Sequence, residues 1–585
     1  MKLIISIMLI TFSLFGNTGI NILGYASQNI EYQTTIKKYF TTRLALGIDV
    51  KKNILKKYYK KSNQHLIWTD NDSLIAISKD LIGAIKKDKL LYPLSFEKLN
   101  IKQIDELLEK KQEYESLSVE DTIKLDFLLT YAYDQYMNFL SFGDFNWSHF
   151  QKQLKDKYDK TEITYNWRRT KYFPKKLTLL EQSIAEKDIY IALNNPKIAY
   201  KNSTKLYEQI AKYEELLKDG GYVKIPSIKV LKLNMKSNIV PFLRQRLLQS
   251  GDLSQENFDL TINDEPSVLD ENPTVQVEDK RLIYDEILFN AVKSFQKRHG
   301  LEVDGIIGRD TIRHLNISLK HKITQIKINL LRMKWLPRDL GEKYLIVNIP
   351  DFKLYYYDDN KEVLNLPVVV GNKTHPTPIF SHKLTTVVLN PYWRVPQRIV
   401  QREIIPKLQE NPEYLVSRGM NIHESWDQKS QTYDPTTIDW SQYLQTDEQK
   451  EQKVYPEVPY RFIQIPSKKN PLGKMKFLFH NRFSVYIHDT SAKHYFKRRQ
   501  RAFSHGCIRL QTPYKLLKTI ANEDRRLDYD KAIDVLKDIE KKEITLASKI
   551  PVHIIYLTAW IDDNGIMQYR DDIYGYDKLQ AKMLF

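Results

Sequence analysis

The chain of 585 residues holds one cysteine, Cys507, in the stretch RAFSHGCIRL (501–510). Thiols react as thiolates. A catalytic cysteine therefore needs a base or a positive field beside it, and donors for the oxyanion its attack creates. Ser504, His505 and Gly506 run directly into Cys507. Glycine lets the backbone close on a reacting carbonyl, and amides around the thiol can serve as oxyanion donors. A second histidine, His488, lies 19 residues upstream in the strand-like YIHDT. The two-residue repeat of a strand turns Tyr486 and His488 to one side. Downstream, Thr512-Pro513 predicts a helix start with Thr512 as N-cap, whose positive end favours a nearby thiolate modestly.

Other chemistries fit less well. A lone cysteine is usually an inert small hydrophobe, but this one is flanked by polar SHG. His480, His488, His494 and His505 could be read as zinc ligands, yet no HExxH-like spacing accompanies them. A sortase also pairs Cys with His on a β fold, without an SHG lead-in.

These residues need a scaffold, and the length predicts several domains. A charge-free apolar run over 3–15 reads as a signal-peptide core, so 1–27 is expected to be a signal peptide or an N-terminal anchor, in contact with membrane only if uncleaved. With a single cysteine an exported chain forms no internal disulfide. The net charge of +18 is lysine spread along the whole sequence, with no basic arm or nucleic-acid motif, and reads as solvated helix faces. Residues 28–235 carry helical periodicity, with Ser118 and Asp121 as a capping-box start, and predict an α-helical scaffold whose aromatic stripes are core.

Residues 236–318 predict a small three-helix module in which Gly300 caps one helix and DGIIG (304–308) makes a tight turn. Its segment 252–279 has nine acidic residues and no Lys or Arg, and reads as a structureless surface loop. A linker helix is expected over 319–340, stopped by Pro337. From 341 to 585 the period changes to that of strands, interrupted at 397–466 by a polar, helical insertion with Trp426 and Trp440, and ended by a hairpin turning at Asp563-Asn564-Gly565. The fold class is therefore multidomain α+β.

Two resemblances follow from these motifs. Val292, Phe295, Gln296, His299, Gly300, Leu301, Asp304, Gly305, Gly308 and Thr311 resemble the signature of the peptidoglycan-binding type 1 module. IHDT followed by SHGCIR resembles the L,D-transpeptidase (YkuD-type) catalytic motif, supported by NPYWRVP and IQIPSKKNPLGKMKFLF. Together they make the chain similar to the large periplasmic L,D-transpeptidases of the YcbB type. The resemblance implies Cys507 as nucleophile and His488 as general base, with His505, Gly506 and the Cys507 backbone shaping the oxyanion site. It implies Tyr486, Ser504, Arg509, Trp393 and Trp426 as substrate-positioning residues, Arg509 because its planar fork matches a carboxylate.

Asp489 stands where smaller relatives have Gly or Ser, so a backbone carbonyl is expected to orient His488. The implied partners are peptidoglycan tetrapeptide stems as donor and acceptor, with other cell-wall synthesis enzymes as candidates. Nucleic acid, metal and organic cofactor are not called for. The implied activity is 3-3 cross-linking through a Cys507 thioester with release of D-alanine, in the periplasm, sensitive to carbapenems, with 397–466 capping the cleft. The alternatives are a non-catalytic wall-binding scaffold, hydrolysis of the stem, or attachment of a lipoprotein.

Overall fold

The computed structural model describes residues 30–584 apart from 43–45, 144–146, 159–166, 171, 263–279 and 453. The expected signal or anchor segment lies outside the described residues, among which no helix is long and apolar enough to cross a membrane. The described residues divide into two compact units, those within 1–145, 171–198 and 584–585, and those within 146–170 and 199–583.

The first unit is helical and gathers around Val119–Phe142, where Ser118 accepts from the Asp121 amide as its spacing predicts. Its aromatic side chains are core: Tyr58, Tyr59, Phe127 and Tyr133 are fully buried. Asp126, also buried, accepts from the amides of Ile67, Trp68 and Thr69 at 2.9, 2.7 and 3.0 Å, so a carboxyl group in the core pins a loop.

The second unit is larger than the sequence pattern predicts. Residues 199–235, grouped above with the scaffold, belong to it. Ile225 and Leu231 enter one core with Leu243, Leu247, Leu288, Val292 and Phe295 of the three-helix module. An amphipathic pattern shows that a face is buried and does not name its partner. The module's helices are Val240–Ser250, Glu286–Arg298 and Arg309–Leu315, and Gly300 has the expected left-handed φ of 63°. The acidic segment is ordered where it begins, contrary to expectation. Asp252 is buried against Arg298, and Gln255–Ile262 is a helix; its remainder, 263–279, lies outside the described residues.

The expected linker helix is no tether. Leu319–Met333 is buried along most of its length, polar residues included. Gln325 donates to the carbonyls of Thr558 and Arg570 at 3.1 and 3.2 Å, and the Asn329 amide exchanges two hydrogen bonds with Thr558. Arg332 pairs with Asp577 at 2.6 Å and donates to the Tyr556 carbonyl at 3.2 Å. This helix docks the chain's last segment.

The catalytic part is a closed sheet. We number eight of its strands β1 (Lys343–Asn348), β2 (Lys353–Asp358), β3 (Lys361–Gly371), β4 (Phe380–Leu389), β5 (Met475–Leu478), β6 (Ile487–His488), β7 (Ile508–Leu510) and β8 (Lys542–Ile555). They pair in the order β3-β7-β6-β5-β4-β8-β1-β2, and β2 pairs again with β3, so the sheet closes into a barrel. One face of each strand fills the interior, with Val347, Leu354, Val368, Phe477 and Ile508 fully buried. The ninth strand, Ala502–Ser504, pairs with the end of β3.

The insertion differs from its helical expectation. Short helical turns are present, but it is organised on a four-stranded sheet of Trp393–Arg394, Arg461–Gln464, Met420–His423 and Thr432–Tyr433. Strands this short carry too few residues for an alternation to register. Helix and sheet close on a core of their own, including Val400, Ile404, Leu408, Ile422, Trp440 and Phe462.

Because Arg332 and Asp577 are buried together, removing one leaves the other charge without its partner. Arg332→Ala should destabilise the second unit by about 3–5 kcal/mol. Urea unfolding followed by tryptophan fluorescence checks this, and Arg332→Lys should recover part of the loss.

Candidate active site

Strand β3 organises the thiol's turn. Its even residues use one edge: the Val368 amide donates to the Phe352 carbonyl, and the Val370 amide to that of Arg501. Its odd residues use the other edge, where Val369 pairs with Arg509 of β7. The segment 505–507 therefore crosses over the end of β3 between two strands, both of which that strand holds. Gly506 has a φ of 107°, which excludes a side chain on backbone grounds. Inside the turn the Ser504 hydroxyl donates to the Cys507 carbonyl at 2.5 Å and accepts from the Gly506 amide at 3.1 Å. Thr377 ties the turn down, donating to the Gly506 carbonyl at 2.9 Å while accepting from the Gly371 amide at 2.8 Å.

Register sets the chemistry. β6 runs parallel to β7 with Ile487 beside Ile508 and His488 beside Arg509, and the Ile508 amide donates to the Tyr486 carbonyl at 3.0 Å. β5 pairs with β6 so that Lys476 lies across from His488. Strand alternation then puts Lys476, Tyr486, His488, Cys507 and Arg509 on one outward face of the barrel. The Tyr486 and His488 rings are 5.4 Å apart, and the Lys476 ammonium sits 3.7 Å from the centre of the Tyr486 ring.

His488 is buried, and its Nδ1–H donates to the Asp489 carbonyl. A carbonyl only accepts, so this bond fixes the tautomer and leaves Nε2 with its lone pair. Burial first, then the positive charge of Arg509, brings the imidazole's pKa down to about 3, so it is neutral at physiological pH. The Asp489 carboxylate is engaged elsewhere: it accepts from the Lys474 amide at 2.8 Å and pairs with Lys493 at 2.7 Å. The expected backbone carbonyl is therefore the group that orients His488.

Cys507 is half-buried, and its Sγ donates to the Ser484 carbonyl over 3.9 Å. Burial pushes the thiol's pKa up, while the Tyr486 amide and the charges of Lys476 and Arg509 work the other way. No hydrogen bond joins the thiol to His488 among the described residues. Apo sites often tighten such contacts only with substrate bound. Arg509 makes no hydrogen bond or ion pair among the described residues, and its Nε is buried. A guanidinium in that condition is prepared for an incoming carboxylate.

Other expected residues fall differently. Ser504 is fully buried and holds the turn without facing the cleft. The Gly506 amide is occupied by the Ser504 hydroxyl and is not free for an oxyanion. His505 is exposed and meets Glu403 of the insertion at 3.2 Å, with the His375 ring 4.7 Å away. Trp393 packs on the insertion's core, and Trp426 lies under Arg461 at 5.8 Å. Neither makes a ring contact or hydrogen bond with the residues around the thiol. The helix Pro513–Ala521 starts where expected, but the Thr512 side chain does not cap it. Lys476, Glu403 and Thr377 escaped the sequence reading. Alternation in KFLF puts Lys476 and Leu478 on one face, but nothing local says which strand lies opposite. Among the described residues no group of His, Cys, Asp and Glu could hold a metal ion.

The family comparisons meet this geometry directly. The L,D-transpeptidase catalytic domain (YkuD) model matches residues 342–532, which span the barrel from β1 through the thiol's turn. The chain contains a YkuD-type L,D-transpeptidase catalytic domain. The model described as "Putative peptidoglycan binding domain" matches 274–315, and the scaffold domain model matches 53–209. A curated protein of Haemophilus influenzae, named "Putative L,D-transpeptidase", is 32% identical over 275 residues, 46% of this chain and 52% of that protein. The chain thus spans about half the length of the curated relative it matches.

Solved L,D-transpeptidase structures from Xylanimonas cellulosilytica and Stackebrandtia nassauensis are 14% and 13% identical. They cover 56% and 57% of this chain and 98% and 96% of their own, with TM-scores of 0.17 and 0.19. The assignment of the L,D-transpeptidase domain rests on the sequence matches.

With His488 neutral to about pH 3, acylation of Cys507 should show no acid limb near the ordinary histidine value and should rise further only in the alkaline range, where the raised thiol itself ionises. Lys476→Met removes a charge that favours the thiolate, so the alkaline limb should move to higher pH, with Lys476→Arg restoring it. Pre-steady-state acylation by a carbapenem, read by intact mass across pH, checks both. An unmoved limb in Lys476→Met would remove Lys476 from the thiol's environment.

Proposed function

We propose that this protein is a peptidoglycan L,D-transpeptidase acting in the cell envelope. The observation that carries this reading is the shared face of Cys507, His488 and Arg509, with a base of fixed tautomer and a cation that makes no hydrogen bond or ion pair among the described residues. His488 Nε2 takes the thiol proton as Sγ attacks the carbonyl of the third residue of a tetrapeptide stem. The Sγ–C bond forms, the C–N bond to the terminal D-alanine breaks, and His488 returns the proton to the leaving amine. The side-chain amine of another stem's third residue then attacks the thioester. It loses a proton to His488 and releases the thiol with a 3-3 cross-link made. The Cys507 amide stabilises the oxyanion of both steps, and Arg509 binds a stem carboxylate.

Cys507→Ala and Cys507→Ser should fold and lose the acyl-enzyme, since a hydroxyl is the poorer nucleophile at neutral pH. His488→Ala should retain stem binding while acylation slows by about 10²–10⁴. Purified tetrapeptide stems with mass spectrometry of enzyme and products test both. Near wild-type turnover in Cys507→Ala would leave a non-catalytic wall-binding scaffold as the better reading.

Hydrolysis competes with transfer whenever water reaches the thioester. Glu403 is the insertion's polar contact with the thiol's turn, and His505 beside it holds the Glu403 carboxyl below its ordinary pKa. If the insertion acts as a lid, Glu403→Ala should leave carbapenem acylation intact and shift stem products from cross-linked dimer towards hydrolysed tripeptide. A dimer-to-tripeptide ratio equal to wild type would remove this contact from the partition.

A further inference from the structure

A cavity of about 330 Å³ opens on the outer face of β1, β2 and β3, away from the thiol, and nothing in the reading above uses it. The strands supply its floor through register. Tyr344 faces Tyr357, Ile346 faces Tyr355, and Asn365 of β3 pairs with Tyr355. The Tyr344 and Tyr357 rings stack with centres 5.0 Å apart. The opposite wall is the terminal hairpin of Ala559–Ile561 and Met567–Tyr569 with its turn, together with Tyr200.

The polar groups show what could bind. The Tyr344 hydroxyl donates to Asn360 at 3.2 Å and that of Tyr355 to Asp351, so these two are satisfied. The hydroxyls of Tyr200 and Tyr357, both half-buried in the lining, have no hydrogen-bond partner among the described residues. Both hydroxyls are therefore open to a ligand entering the cavity. Charge is nearly balanced around them. Lys201 is neutralised by Asp563 at 3.2 Å and Arg570 by Asp351 at 2.7 Å, and the remaining charges of the lining are two of each sign, Lys297 and Lys353 against Glu362 and Asp562. Neither an anion nor a cation finds a dominant field here. An apolar ligand would leave the hydroxyls and carboxylates unpaired. A neutral molecule with many hydroxyls and apolar ring faces matches rings, free phenols and carboxylate acceptors together, and the volume lies at the lower end of ligand pockets, about 300–1,000 Å³.

We propose that this cavity is a saccharide site that takes pyranose units of a glycan strand, holding the strand while its stems reach Cys507. The role rests on the peptidoglycan reading of the thiol site, whereas the binding itself does not. The test uses the full chain carrying Cys507→Ala, with the trisaccharide of N-acetylglucosamine as probe, followed by saturation-transfer NMR and titration calorimetry.

The expected result is saturation transfer to the sugar ring protons. Binding should weaken about tenfold in Tyr357→Ala and severalfold in Tyr200→Phe, which removes only a hydroxyl. Circular dichroism confirms folding; should Tyr357→Ala misfold, Tyr200→Phe decides alone. No transfer at millimolar sugar overturns the proposal. Binding that survives Tyr200→Phe and any folded Tyr357→Ala also overturns it, because the sugar then sits elsewhere, the three-helix module included. Acylation of the unsubstituted thiol is measured separately, so failure of the saccharide site and failure of the transpeptidase reading are told apart.

Discussion

The end of one strand carries the thiol's turn. Strand β3 spends both edges on the chain that bears the thiol, so the turn 505–507 cannot shift without breaking a pairing on one side or the other. The ground beneath it is as tightly set. A side chain at Gly371 would come within 2.0 Å of the His375 carbonyl, and Tyr574 donates to the Gly371 carbonyl at 2.5 Å. Tyr574 follows the last strands that the helix Leu319–Met333 holds through Asn329 and Arg332. The thiol's position is thus a consequence of how the barrel closes and how its tail docks.

On that frame the electrostatics oppose one another in a useful way. Burial favours the neutral thiol and the neutral imidazole, so the Cys507 thiol stays protonated and His488 keeps a free lone pair. Lys476 and Arg509 pull towards the thiolate. The resting pair is therefore thiol and imidazole, and charge develops only as attack proceeds, when a cationic face has most to stabilise.

The insertion contributes as a folded body with its own core. Its large aromatic side chains are largely committed to that core: Trp440 is buried, and Tyr414 and Tyr433 pack against it. They form a satellite core and do not make a stacking surface over the cleft. Val400–Ile404, a wide helical turn, carries Glu403, which meets His505 of the thiol's turn at 3.2 Å. Such π turns recur at functional sites because they redirect side chains that a regular helix would aim elsewhere.

Much of the site was legible in order along the chain. Cys507 is marked by its polar, glycine-bearing approach, and Tyr486 and His488 are paired by strand alternation, because both signals are local. The helix cap at Ser118, the left-handed Gly300 and the hairpin at Asn564 belong to the same class. Tertiary structure decided the rest. Lys476 faces the thiol through strand pairing, Glu403 reaches His505 from about a hundred residues away, and Thr377 pins Gly506 from a greater distance. Residues 199–235 and the helix Leu319–Met333 showed buried faces without showing that the second unit buries them. Periodicity records that a face leaves water. Which distant surface meets it depends on sheet register and chain closure, and these are set by pairings between segments that carry no mark of one another.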